Sequence, residues 1–434
     1  MEVLHTQTCS GSVCEGPDSG CVQDDDEDDD DNGVVDSTWA NKRSYVSGSG
    51  KTLWSYYGDE SPSATNLHES GIEDRRAGGS RGRLLDLKVL TDSIVYAGKF
   101  LSVVSRIHPS GLGAFRGDGK DTFIVNGAID FLSTSCGSTA MRHIPFGSIY
   151  PAIWNFEHLR EVNFLYGFVE SLFTGRKFSG APMANTFDPM DIYRGWNQVY
   201  DVSLPRIGSI VTDVRNWQEP MTPNDRIMEC IGSLAYREGA ALLPRDLNRL
   251  KATIMQGQRP LGGPEEFKEL LDDIAGGSES DLVKVLKNLK GLTALFEKVI
   301  GVFNYLNLPQ VQVAFHASGN MLDREMEFAE TYIPGFMGLA AAWNEYELDY
   351  YAEVTRRARV WFTDRIGLIG ARFPMGGSLT NPSVIKLVYE TAILAEQLKL
   401  IKSPLGIFRG LADRNSCPAN STAPQFGVCP SGYM

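Results

Sequence analysis

The residues able to do chemistry in this chain are scattered, and most of their spacings fall short of a working site. Gly48-Ser49-Gly50-Lys51-Thr52 carries the lysine and threonine of a phosphate-binding loop. That loop also needs a glycine five residues before Gly50, where Tyr45 stands, and a helix after it, where Leu53 to Tyr57 reads as strand. The stretch therefore reads as a polar turn. Asp28, Asp30, Asn32 and Gly33 match the first half of a calcium loop, but Trp39 takes the place of the closing bidentate glutamate. The histidines are His5, His68, His108, His143, His158 and His316, and none stands at metal-ligand spacing from another donor. His316 reads as an ordinary helix residue. Cys136 and His143 would make a nucleophile and a base only if the fold joined them. Glu345, Glu347 and Asp349 alternate along one expected helix. At ~100° per residue they do not share a face, so they read as solvated surface. No cofactor and no metal is expected. Loop-borne Trp54, Tyr56, Tyr57, Trp196 and Trp217 are the candidates for stacking on sugar rings, set against the ordinary role of filling a core edge.

The elements that would position these residues are mostly helices. Thr222-Pro223-Asn224-Asp225 is a helix start: Thr222 caps, Pro223 suits the first helical position, and Asp225 sits three residues after the cap. Leu247, Leu250 and Ile254 mark a second helix, and Phe267, Leu270, Leu271 and Ile274 a third, stopped by Gly276-Gly277. The longest amphipathic run spans Asp281 to Asn307. Helices over Val311–Tyr332, Leu339–Ile369 and Ser383–Lys402 follow. Leu84 to Val104 fits one or two helices broken near Gly98. Phe156 to Phe173 reads as helix. Residues 142–154 read as loop, and 176–221 as an irregular span. The expected class is mainly α, with minor β content toward the N-terminus. Residues 1–83 read as an acidic, cysteine-bearing, disordered leader. Residues 84–410 read as the helical domain, with a subdivision allowed near 221, and 411–434 as a cysteine-bearing tail.

The chain has 434 residues, 42% hydrophobic and 22% charged, with a formal net charge of −13. Asp24 to Asp31 are all acidic and supply eight of those charges, so the rest carries −5. An acidic body without a basic stripe disfavours nucleic acid as a partner. No run reaches the ~18 apolar residues that span a bilayer. The cysteines are Cys9, Cys14, Cys21, Cys136, Cys230, Cys417 and Cys429, and five lie in Gly-, Ser- and Pro-rich ends. That is how extracellular proteins staple irregular segments, so all seven are disulfide candidates. Cys136 and Cys230 read either as buried thiols or as partners in one bridge. Asn420-Ser421-Thr422 is an N-glycosylation pattern. These ends favour an extracellular or secretory-pathway protein, although Met1 to Ser10 holds no apolar stretch of the signal-peptide kind. A missing true start, a piece of a longer secreted chain and an intracellular protein all stay open.

Three blocks carry a family resemblance. Asp225-Arg226-Ile227-Met228-Glu229-Cys230-Ile231-Gly232-Ser233 resembles the D-R-[VI]-[MF]-E-C-[FIL]-G-S block of a fungal segment. That segment lies C-terminal to the catalytic domain in class V chitinases of the killer-toxin α-subunit type. Gly301 to Asn307 resembles its G-V-F-N-Y-L-N block, and Trp343, Glu345, Asp349 and Tyr350 its W-x-E-x-x-x-D-Y helix. Leu247 to Ile254 is similar to a further helix of it. The resemblance covers about residues 84–370. The family's catalytic half is a family-18 glycoside hydrolase barrel with a D-G-x-D-x-D-x-E signature whose last Glu is the general acid. The echo here is Asp118-Gly119-Lys120-Asp121-Thr122-Phe123-Ile124-Val125, with Phe123 and Val125 where acidic residues are needed. It reads as a Gly-rich turn.

The resemblance implies a non-catalytic, secreted, fungal-type accessory protein that binds cell-wall glycan such as chitin, or a partner chain. The alternatives are a fragment of a chitinase, and an unrecognised enzyme with a site in 111–221 built from Asp118, Asp121, Arg142, His143 or Asp188.

Overall fold

The computed structural model describes residues 82–106, 108, 128–133, 138–145, 154–202, 204, 222–233, 236, 239–261, 263–276, 282–374 and 381–405. The expected helix over 84–104 is instead a strand–helix–strand unit. β1 (Gly82–Asp86) leads into the short α1 (Leu87–Thr91), a 3-10 turn over Ile94–Tyr96, and β2 (Phe100–Val104). The apolar residues there fit both periods, and chain breaks decide between them. Asp86 caps α1 by accepting from the Lys88 amide at 2.9 Å. Asp92 and Gly98 both take left-handed conformations that no helix continues through. β1 and β2 pair antiparallel with Leu84 opposite Ser102. Leu85, Leu101 and Val103 face the core, while Leu84 and Phe100 face out.

Two further expectations change. Arg142–Ile144, at the start of the expected loop, lie in strand β4 (Met141–Ile144), and Phe156–His158, the front of the expected helix, lie in β5 (Trp154–His158). With β3 (Ala128–Phe131) and β6 (Ala240–Pro244) they form a sheet in the order β4-β3-β6-β5, antiparallel except between β3 and β6. Ile129, Ala241 and Leu243 turn into the main core. Ala128, Trp154, Phe156, Ala240 and Leu242 form a small second cluster on the other face.

The helices follow the sequence signals closely. α2 (Val162–Thr174) ends on Gly175 in a left-handed cap. α3 (Pro189–Gly195) lies inside the expected irregular span, capped by Asp188. In α4 (Pro223–Glu229), Thr222 accepts from the Asp225 amide at 3.1 Å, and Pro223 stands in the first turn. α5 (Arg245–Met255), α6 (Pro264–Gly276), α7 (Leu282–Leu306), α8 (Pro309–Tyr332), α9 (Leu339–Arg372) and α10 (Pro382–Glu396) complete the body. One main core runs from Leu85 to Leu405, across position 221. At its centre Phe164 of α2 sits among Trp343, Tyr346, Tyr350 and Tyr351 of α9, with ring centroids 4.5–5.7 Å apart. Such ring pairs contribute about 0.5–1.5 kcal/mol each beyond area burial. Gly301 lets the sheet approach α7, since a Cβ there would meet the Phe131 ring at 2.6 Å.

Candidate interaction surface

The polar residues of the three blocks are mostly turned to architecture, the buried Tyr305 hydroxyl, which has no hydrogen-bond partner among the described residues, apart. Just ahead of the first block, Asn224 on α4 accepts from the Val104 amide at 3.1 Å and donates to the Val104 carbonyl at 3.0 Å. It also accepts from the Trp196 indole at 3.1 Å. Asp225 and Glu229 both hold Arg106, at 3.2 and 3.0 Å. Glu229 further accepts from the Ser233 hydroxyl. Arg226 grips Glu325 of α8 through two nitrogens at 2.5 and 2.9 Å, both partners buried. The Cys230 carbonyl accepts from Ser318 at 2.6 Å. Burial pushes the carboxyls of Glu229 and Glu325 above the ordinary range; the Ser233 hydroxyl and then Arg106 beside Glu229, and Arg226 beside Glu325, offset this only in part.

The second block behaves alike. Asn304 donates to the Thr139 carbonyl at 2.7 Å, and Asn307 to those of Phe303 and Lys402 at 2.8 and 3.2 Å. In the third block, the Trp343 indole donates to Asp323 at 2.9 Å and the Tyr350 hydroxyl to the Met255 carbonyl. Glu345 accepts from the Ala184 amide at 2.9 Å, and Asp349 from the Ser179 amide at 2.8 Å. Each block thus fastens segments far apart in the chain, which is a scaffold role.

Several expectations need correcting. Trp196 is fully buried, so it offers no sugar platform; a neutral indole with its N–H satisfied by Asn224 belongs in a core. Cys230 is a free, buried thiol and not a disulfide partner; its Sγ donates to the Arg226 carbonyl at 3.3 Å, and burial pushes its pKa well up. Glu347 is no solvated surface residue. It is fully buried and paired with Arg160, which also donates to the Phe315 carbonyl at 3.1 Å and lies over the Phe315 ring. His316 is the ordinary helix residue expected, 3.0 Å from Gln312. Lys251, the lysine of the Leu247–Ile254 helix block, is fully buried and donates to Glu157, Glu161 and the His158 carbonyl. Burial pulls its pKa down, but the two carboxylates outweigh that and hold it above the ordinary value.

The set expected for an enzyme does not converge where it is described. Arg142 lies opposite Asp130 on one face of the sheet, and His143, the next residue of β4, opposite Ile129 on the other. Asp188 accepts from the Met190 amide at the start of α3. Trp54, Tyr56, Tyr57, Trp217, Asp118, Asp121, Phe123, Val125, Cys9, Cys14, Cys21, Cys136, Cys417, Cys429 and Asn420 lie outside the described residues, as do Gly48–Thr52 and Asp28–Gly33. Among the described residues no group of three or more His, Cys, Asp or Glu is placed to hold a metal ion, and no helix is long and apolar enough to cross a membrane.

What the described surface does offer is an aliphatic face on the β1–β2 unit. Leu84 and Phe100 are diagonal neighbours on its outer side, about half exposed. Val89 follows on α1, and Ile94 and Val95 on the 3-10 turn are each 73% exposed. Asn197 ties its own segment to β2 by donating to the Ser102 carbonyl at 2.9 Å, and exposed Val199 and Val202 follow it in the chain. Single exposed apolar residues mean little, but several on one small unit mark an interaction site. The sequence hid this face, because an outward leucine in a two-stranded sheet looks the same as a core leucine.

The geometry of the β1 edge adds to this. Both backbone groups of Val104 bond to Asn224, so the Gly82–Val104 pair is of the kind whose amides and carbonyls point outward. Leu84–Ser102 is of the same kind, two residues on. The outer edge of β2 is therefore covered by Asn224 and Asn197. The outward groups of Leu84 in β1 face an edge with no neighbouring strand among the described residues.

No family model matches this chain, and no curated protein or solved structure matches it either.

Proposed function

We propose that this is a non-catalytic, secreted, fungal-type accessory protein, related to the region that follows the hydrolase in class V killer-toxin-like chitinases, and that it acts by binding. The observation that carries this is the division of labour described above. The polar residues of the three blocks mostly hold the scaffold, and the β1–β2 unit gathers five exposed apolar residues, Leu84, Val89, Ile94, Val95 and Phe100, beside an open strand edge. Four of the five exposed side chains, Leu84, Val89, Ile94 and Val95, are aliphatic and suit apolar protein surface, and Phe100 is the single aromatic ring among them, where sugar recognition relies on exposed aromatic faces. This supports a partner chain ahead of cell-wall glycan. A family-18 hydrolase domain is the first partner to try, because the resembling segment shares a chain with one.

The test puts the full chain on insoluble chitin and on β-glucan, with soluble sugar assayed in the same tubes, and measures its affinity for a purified family-18 hydrolase domain. The expected result is no sugar release, and binding to the hydrolase domain that weakens at least ~10-fold in a Leu84→Ser/Phe100→Ser double variant. Chitin binding that the double variant leaves untouched would move the reading to glycan. Sugar release would overturn the non-catalytic reading.

A further inference from the structure

We propose that the open edge of β1 pairs with β1 of a second copy of this chain, antiparallel, about a two-fold axis that passes beside Leu84. The inference rests on reading this face as an interaction surface, and adds that a second copy takes it when no other partner does. Three observations carry it. First, the edge is unguarded. Edge strands that must stay single carry an outward lysine, a proline or a bulge. β1 reads Gly82-Arg83-Leu84-Leu85-Asp86, and its register with β2 runs unbroken from Gly82–Val104 to Asp86–Phe100. Both of its charges are engaged within the chain: Arg83 pairs with Glu170 at 2.9 Å, and Asp86 accepts from the Lys88 amide at 2.9 Å to cap α1. The side chain that faces outward from its middle is Leu84.

Second, the edge is complementary to itself. Its outward backbone groups belong to Gly82, Leu84 and Asp86, because Arg83 and Leu85 bond to β2. An antiparallel pair centred on Leu84 sets Leu84 opposite Leu84 of the second copy, Gly82 opposite its Asp86, and Arg83 opposite its Leu85. The two Leu84 residues exchange amide–carbonyl bonds, and each Asp86 amide reaches a Gly82 carbonyl. All five residues are paired, and no charge stands opposite a like charge. A slip toward Gly82 would set Arg83 opposite its own twin, which disfavours that register. Third, the pairing shields apolar surface. It brings the two half-exposed Leu84 side chains together, with Cα atoms about 5.5 Å apart, and Phe100 of each copy stands diagonal to its own Leu84. It also turns a two-stranded sheet, marginal by itself, into a four-stranded one. The paired segment is short, so the dimer is weak, with Kd above about 1 μM. A partner chain that uses the face displaces the second copy.

The test is analytical ultracentrifugation of the full chain alone, from about 1 to 300 μM, spanning the Kd range of a weak dimer. It compares the natural sequence, Leu84→Lys, Leu84→Asp, and an equimolar mixture of the two variants. Leu84 faces out, so both variants fold, and thermal unfolding at the lowest concentration checks this. The expected result is a reversible dimer of the natural chain. Each variant alone raises Kd at least ~10-fold, because like charges meet across the axis. The mixture recovers most of the loss as a heterodimer with lysine opposite aspartate. A natural chain that stays monomeric throughout would overturn the proposal. A dimer that either variant leaves intact would take the contact away from this edge, and a mixture that recovers nothing would overturn pairing across Leu84. None of these outcomes touches the partner reading, which the hydrolase-domain measurement decides separately.

Discussion

The helical body and the β1–β2 unit differ in what they bury and what they leave out. In the body, Arg160, Arg226, Lys251, Glu325 and Glu347 are all buried. The β1–β2 unit turns Leu85, Leu87, Leu101 and Val103 inward but leaves Leu84, Val89, Ile94, Val95 and Phe100 exposed within some twenty residues, whereas exposed apolar residues such as Val313, Leu348 and Val360 are spread along α8 and α9. The contrast teaches that chemical type alone is a poor guide to function here. The residues that look reactive hold distant segments in register, and the residues that look like core are the ones left for contact.

The largest effect expected from breaking this contrast lies in the body. Glu347→Ala takes the carboxylate from the buried Arg160 guanidinium and leaves it beside the Phe315 carbonyl and the Phe315 and Tyr351 rings, which costs about 3–5 kcal/mol. Chemical denaturation measures it. An Arg160→Met/Glu347→Leu double variant recovers most of the loss, because the desolvation cost of both charges disappears with them. Asn224→Ala comes next. It frees the Val104 amide and carbonyl and the Trp196 indole together, so a loss of about 1–3 kcal/mol is expected, with β2 amides losing exchange protection first.

The unequal legibility of the two regions has the same origin. The body was readable because long helices repeat their signal. Thr222 and Pro223 start α4 as their chemistry demands, and α7, α8 and α9 begin and end close to the expected places. The strands are only four or five residues long. β6, Ala-Ala-Leu-Leu-Pro, is buried on both faces and shows no alternation. Tertiary partners were unreadable altogether: Glu347 meets Arg160 across 187 residues, so nothing local separates a buried pair from a solvated helix face. Asn224 illustrates the limit, since its place inside a helix start was clear and its role as a bridge between β2 and Trp196 was not.

A smaller effect comes from a charge at the surface of the body. Two hydrogen-bonded arginines, Arg356 first and then Arg357, hold the Glu353 carboxyl down to about 2. A carboxylate depressed in the fold contributes stability above its ordinary value of 4.5, and that contribution is lost as pH falls from there toward about 2. Because Arg356 is largely exposed, the contribution at neutral pH is under about 1 kcal/mol. Glu353→Gln therefore lowers stability slightly at pH 7 and flattens the acid limb of the stability curve over that window. An unchanged acid limb would show the pair to be screened out in solution.

The smallest expected effect on folding is the most informative about the contrast. Leu84→Ser with Phe100→Ser removes outward apolar surface that packs on nothing in the described fold, so stability should move by no more than about 0.5 kcal/mol for each. A loss of about 2 kcal/mol or more would mean that the face is packed within the folded chain and is not free for a partner. If the face is bare and reserved for a partner, the cost in stability is small and only partner affinity changes.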